Sequence, residues 1–184
     1  MVCTIGEKRG LAQRLSDGDE DGDPAHIVAD GLLTALIAAS AVALILWLFP
    51  APMFPSGVYS PVDKLLVLAI PALALTEILL AAQAYRYDVG ATVRSRAIVE
   101  PWTISIMAAV YYKLAPANGL QLAYLTSIYA ALATAAWPFV KTYGLPRGWR
   151  PHLGRMVGLT IRGAPLAAAD AIEWGTRRLD IFIL

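Results

Sequence analysis

Charged residues are scarce in this chain: Asp, Glu, Lys and Arg make up 16% of its 184 residues, where a typical soluble domain carries about a quarter. Cysteine is nearly absent. The single Cys3 excludes an internal disulfide framework and any multi-cysteine metal cage. The two histidines, His26 and His152, stand far apart in sequence, so no metal site and no metal cofactor is expected. A net charge of +1, with each sign clustered, points to no nucleic-acid partner. No phosphate-binding loop, no Gly-x-Ser-x-Gly elbow and no metalloprotease helix occurs in the chain. Nothing in it argues for an enzyme. The Met1 end also lacks the short basic start and apolar stretch of a cleavable signal, since about 25 mostly polar residues precede the first apolar run.

What the chain has is hydrophobic length. Hydrophobic residues make up 58% of it and mean hydropathy is +0.57. Crossing about 30 Å of hydrocarbon takes roughly 20 apolar helical residues. Four runs reach or approach that length: Ile27 to Phe49, Pro61 to Arg86, Ala97 to Ala115, and Gly119 to Lys141. Their continuous Ala and Leu content reads as helix, because a membrane strand would alternate over about ten residues. Pro50, Pro52, Pro55 and Gly57 break the first pair of runs, Asp88 and Gly90 the second, and Pro116 to Gly119 the third. Gly144, Pro146 and Gly148 follow the fourth. The expected fold is therefore all-α: a polytopic transmembrane bundle with four full spans, an interfacial helix and the start of a fifth span.

The chain divides accordingly into a polar, acidic segment (1–26), a four-helix membrane region (27–145), an amphipathic connection (146–163) and the start of a polar-striped helix (164–184). Basic residues set the orientation. Lys8, Arg9 and Arg14 mark the tail; Arg86, Arg94 and Arg96 mark the second connection; Lys141, Arg147, Arg150, Arg155 and Arg162 mark the fourth. The first and third connections are poor in them. The tail and the second and fourth connections are thus expected in the cytoplasm, with the chain in a bacterial inner membrane. Because the last apolar run stops at Leu184 inside an expected span, the chain reads as a fragment.

Polar groups inside such runs are the candidate functional residues, since charge in hydrocarbon is costly. Asp170, Glu173, Arg177 and Asp180 repeat at three and four residues and share one helical face with Arg178 beside them. They would line a water-filled cavity binding an anionic or sugar-bearing substrate, or else pair with one another in an interfacial segment. Glu77, among Leu73, Ala74, Leu79 and Leu80, is either a coupling carboxylate or a packing contact with Thr76 or a facing arginine. Ser16 to Asp23 has carboxylates at alternate positions like a calcium loop. Val28, however, stands where the bidentate glutamate belongs, so a solvated acidic loop is expected.

Two stretches carry a family resemblance. Arg94-Ser95-Arg96-Ala97-Ile98-Val99-Glu100 is similar to the cytoplasmic entry of the fifth helix in polysaccharide flippases of the O-antigen and exopolysaccharide type. Gly163-Ala164-Pro165, Asp170, Glu173, Trp174 and Arg178 to Leu184 resemble the opening of their seventh helix. These transporters are relatives of the MATE-type multidrug extruders. On that likeness the chain corresponds to helices three to six and the start of seven. The resemblance implies alternating-access flipping of an undecaprenyl-diphosphate-linked oligosaccharide for cell-surface polysaccharide biosynthesis. Arg177 and Arg178 would face the diphosphate, with the lipid-linked saccharide and membrane lipids as partners. The rival expectations are a cation-coupled exporter of the same fold and a non-transporting membrane subunit.

Overall fold

The computed structural model describes residues 24–54, 57–144, 149, 154, 157, 158 and 161. Of these, 83% are helical and none is in a strand. Helix α1 spans Pro24–Leu48. A 3₁₀ turn, Asp63–Leu68, runs without interruption into α2, Ala69–Tyr85. The short α3, Val89–Thr92, continues through a wide π-helical segment, Val93–Val99, into α4, Glu100–Leu114. Helix α5 spans Gly119–Tyr143 and contains Pro138.

Three stretches are long and apolar enough to cross a bilayer: Ala25–Leu48, Asp63–Tyr85 and Gly119–Tyr143. They correspond to the first, second and fourth expected runs, and they mark a multi-pass membrane protein. The third expected span, Ala97 to Ala115, is built differently. Its α-helical part, α4, has 15 residues and rises about 22 Å, short of the hydrocarbon thickness. No residue of α4 is buried. The difference lies at the start of α4, where Pro101 has no N–H to give to the turn before it and the preceding stretch is π-helical.

Helices α2 and α5 run parallel at the centre. Gln121 Nε2 reaches Asp63 Oδ1 at 2.9 Å, Tyr129 donates to the Leu68 carbonyl, and Tyr143 donates to the Ala82 carbonyl at 2.6 Å. Helix α1 packs antiparallel on α2, its Ile27 and Val28 meeting Ile78, Leu79 and Ala82 in the main apolar cluster with Ala135 and Phe139. Helix α4 lies antiparallel along α5, close enough that a Cβ on Gly119 would stand 3.0 Å from the Tyr111 main chain.

This close approach rests on small residues. Gly119, Ala123, Ser127, Ala131 and Ala135 recur every fourth residue on α5 and are all buried. Ala35, Ala39 and Ala43 do the same on α1. In lipid, where apolar burial gives helices no reason to associate, such stripes let backbones come within dispersion range.

The first and third connections meet at one end of the bundle. Asp63 Oδ2 accepts from the Ser60 amide at 2.7 Å, and the Ser60 hydroxyl donates to Asn118 Oδ1 at 3.0 Å. At the opposite end α2 stops in a left-handed cap. Tyr87, at φ 60°, lets its amide bond the Ala84 carbonyl and the Asp88 amide bond the Gln83 carbonyl. Asp88 then caps α3 by accepting from the Ala91 amide. The first and third connections thus stand at one end and the Tyr87–Asp88 turn at the other. Of the 146–163 connection, Gly154, Val157, Gly158 and Ile161 are helical. The acidic loop at 16–23 and the segment 164–184 lie outside the described residues.

Candidate functional site

Of the expected site residues, Asp170, Glu173, Arg177, Arg178 and Asp180 lie outside the described residues. Glu77 is described, and the fold builds a charged cluster around it. Its Oε1 meets Arg96 Nη2 at 2.5 Å, while Arg96 Nη1 meets Glu100 Oε2 at 2.7 Å. The three side chains are about three-quarters buried, at 28%, 25% and 26% relative exposure. One guanidinium thus bridges two carboxylates from different helices. Arginine suits this because its planar fork presents several N–H groups and stays protonated. The facing arginine weighed for Glu77 is Arg96, 19 positions along the chain. The next residue back, Ser95, is fully buried and donates to the Ala131 carbonyl of α5 at 2.9 Å. Neighbours Ser95 and Arg96 therefore tie the π segment to α5 and α2 respectively.

The opposite face of α2 is apolar. Leu75 and Leu79 lie about half a turn away from Glu77 and form the floor of a groove of about 480 Å³ between α1 and α5. Leu32, Leu36, Leu132, Phe139 and Val140 line its walls together with Trp149. That volume is in the range of small-molecule sites. Helix α2 is thus a wall shared by an ionic cluster and an apolar groove.

Beside Trp149 sits Asp30, only 1% exposed. Its Oδ1 accepts from Trp149 Nε1 at 2.9 Å, and its carbonyl accepts from Thr34 Oγ1 at 2.8 Å. Asp30 is not among the candidate residues named from the sequence. The signal was present: an acid three residues into an apolar run, with a threonine one turn on. Gln83 is a further buried polar group. Its Nε2 donates to the Leu79 and Ala135 carbonyls, and its Oε1 accepts no hydrogen bond among the described residues. At that end of the bundle the Arg86 guanidinium stacks over the Tyr143 ring, 4.8 Å from its centroid. Among the described residues no three His, Cys, Asp or Glu side chains gather as a metal site.

These features define an α-helical membrane protein with charge held between its helices. No protein-family model, curated protein or solved structure matches the chain.

Proposed function

We propose that the chain crosses the membrane four times, with α3, the π segment and α4 together making the third crossing, and that it belongs to a transporter that flips lipid-linked saccharides across a bacterial inner membrane. The observation that carries this reading is the apolar groove on α2, backed on the other face of the same helix by the Glu77–Arg96–Glu100 cluster. A lipid-linked sugar needs an apolar seat for its tail beside polar groups that can follow its head. The resemblance of Arg94 to Glu100 and of Gly163 to Leu184 to polysaccharide flippases supports the same reading. In this orientation the segment before α1 and the Tyr87–Asp88 turn face the cytoplasm.

The test is a flipping assay on the purified chain in proteoliposomes, using a fluorescent polyprenyl-diphosphate oligosaccharide and a membrane-impermeant quencher. The expected result is quenching of the inner-leaflet pool, slowed by a Leu75→Trp and Leu132→Trp pair that fills the groove. Quenching no faster than in protein-free vesicles would overturn it.

A second reading is favoured by one specific observation. Asp30 and Glu77 are two carboxylates on membrane-crossing helices, as a cation-coupled exporter of small molecules requires. Uptake of a cationic dye driven by an imposed proton gradient, with no effect on the saccharide lipid, would decide for it.

A further inference from the structure

The stretch between α3 and α4 departs from α geometry over seven residues, Val93–Val99, and its closing bond runs from the Glu100 amide to the Ser95 carbonyl, five residues back. Helix of this width is rare beyond single turns and recurs at functional sites. Two features hold it here. Pro101 has no N–H to give to the Ala97 carbonyl, so the narrower register would leave that carbonyl without its helical partner. The wide register also places Arg96 and Ser95 in two different interfaces at once, Arg96 on Glu77 of α2 and Ser95 on the Ala131 carbonyl of α5.

The two arms of Arg96 are not equivalent. Glu100 is four residues on, on the same stretch of chain, and an i,i+4 pair survives in an ordinary α-helix. Glu77 belongs to another helix and is met only while the wide register lasts. One arm therefore travels with the segment, and the other ties it to α2.

We propose that Val93–Val99 is a two-state hinge, held in its wide register by the Glu77–Arg96 arm, and that losing this arm lets the segment close into α geometry. Closing removes one residue from the wide turn. It therefore turns α3 against α4 by roughly 100°, the rotation of one residue in an α-helix. Helix α4 is anchored to α5 by the tight contact at Gly119, so the moving side is α3 with the Tyr87–Asp88 turn. The hinge couples the ionic partner of α2 to the position of a connection at the bundle's end. This inference is independent of what the protein transports.

Spin labels at Val89 and Ile106 read the hinge directly. Both residues are exposed, at 61% and 54%, and they stand on either side of it. The full-length chain, with Cys3→Ser, V89C and I106C, is placed in lipid nanodiscs and the label separation measured by pulsed electron resonance. The parent should give one narrow distance. Glu77→Gln should add or replace it with a second, displaced by on the order of 5 Å given a helix about 10 Å across. Pro101→Ala, which restores the missing N–H donor without touching the charges, should move the population to that same second distance. Glu100→Gln, which leaves the arm to α2 intact, should keep the parent distance. The proposal is overturned if Glu77→Gln and Pro101→Ala both retain the parent distance, or give different new ones. It is equally overturned if Glu100→Gln broadens the distribution as much as Glu77→Gln does. Should Glu77→Gln fail to fold, the Pro101→Ala and Glu100→Gln pair decides alone.

Discussion

The indole of Trp149 donates to the buried carboxylate of Asp30 across 2.9 Å, joining residues 119 positions apart. The contact ties the connection that follows α5 back to the first turns of α1, beside the apolar groove that Trp149 helps to line. Trp149→Phe keeps the ring and removes the donor. A buried acceptor that loses such a bond costs about 1–3 kcal/mol, so the variant should unfold earlier in a detergent-denaturation series. Asp30→Asn keeps the acceptor oxygen and should lose less. Equal stability of Trp149→Phe and the parent would show that this hydrogen bond contributes nothing to folding.

Arg96 holds two carboxylates that would otherwise face each other across a helix interface. Arg96→Leu should therefore be the most damaging change in the cluster, costing about 3 kcal/mol by analogy with broken buried pairs. Glu77→Gln should cost less, because Arg96 keeps its pair with Glu100 and no carboxylate is left without its cation. An SDS-unfolding titration gives the order, and a Glu77→Gln penalty larger than that of Arg96→Leu contradicts it.

Gly119 sits where α5 begins and α4 has just ended. Any Cβ there meets the carbonyl carbon and oxygen of Tyr111 at 3.0 Å, and backbone cannot swing aside as a side chain can. Gly119→Val should force the two helices apart and cost about 1–3 kcal/mol. A cysteine pair spanning α4 and α5 should then cross-link more slowly. An unchanged cross-linking rate would mean that the helices are not in contact there.

Tyr87 occupies a left-handed position that glycine adopts without strain, and its side chain is 92% exposed. Tyr87→Gly should stabilise the α2 cap by about 1 kcal/mol, because the L-residue penalty at such angles is about 1–2 kcal/mol. Tyr87→Val should destabilise it. Unfolding midpoints of the three proteins check the order; a glycine variant less stable than the parent would assign the exposed ring a role at the membrane boundary.

Helix content, the places where helices stop and the even spacing of the connections were legible in the sequence. Each of these depends on neighbouring residues alone. Pro50 and Gly57 fall just past the end of α1, where their own backbone chemistry suits a connection, and Ala35 to Ala43 favours helix whatever packs against it. The third run shows the limit. Its composition reads as a span from Ala97, but Pro101 stands near the helix start, the preceding stretch is π-helical, and the α-helical part begins only at Glu100. The four-residue repeat from Gly119 to Ala135 was also written in the chain and becomes meaningful only once α4 and the π segment lie along it.

Two facts about this protein were settled by local chemistry: lipid-length apolar helices, and basic residues richer in alternate connections. Only the tertiary structure decided that Arg96 meets Glu77, that Trp149 meets Asp30, and that Gln83 and Ser95 both reach carbonyls of α5. Those pairings join residues separated by 19 to 119 positions. Hydropathy and periodicity describe what one helix does in lipid; which helix stands beside it is set by where small side chains let two backbones close.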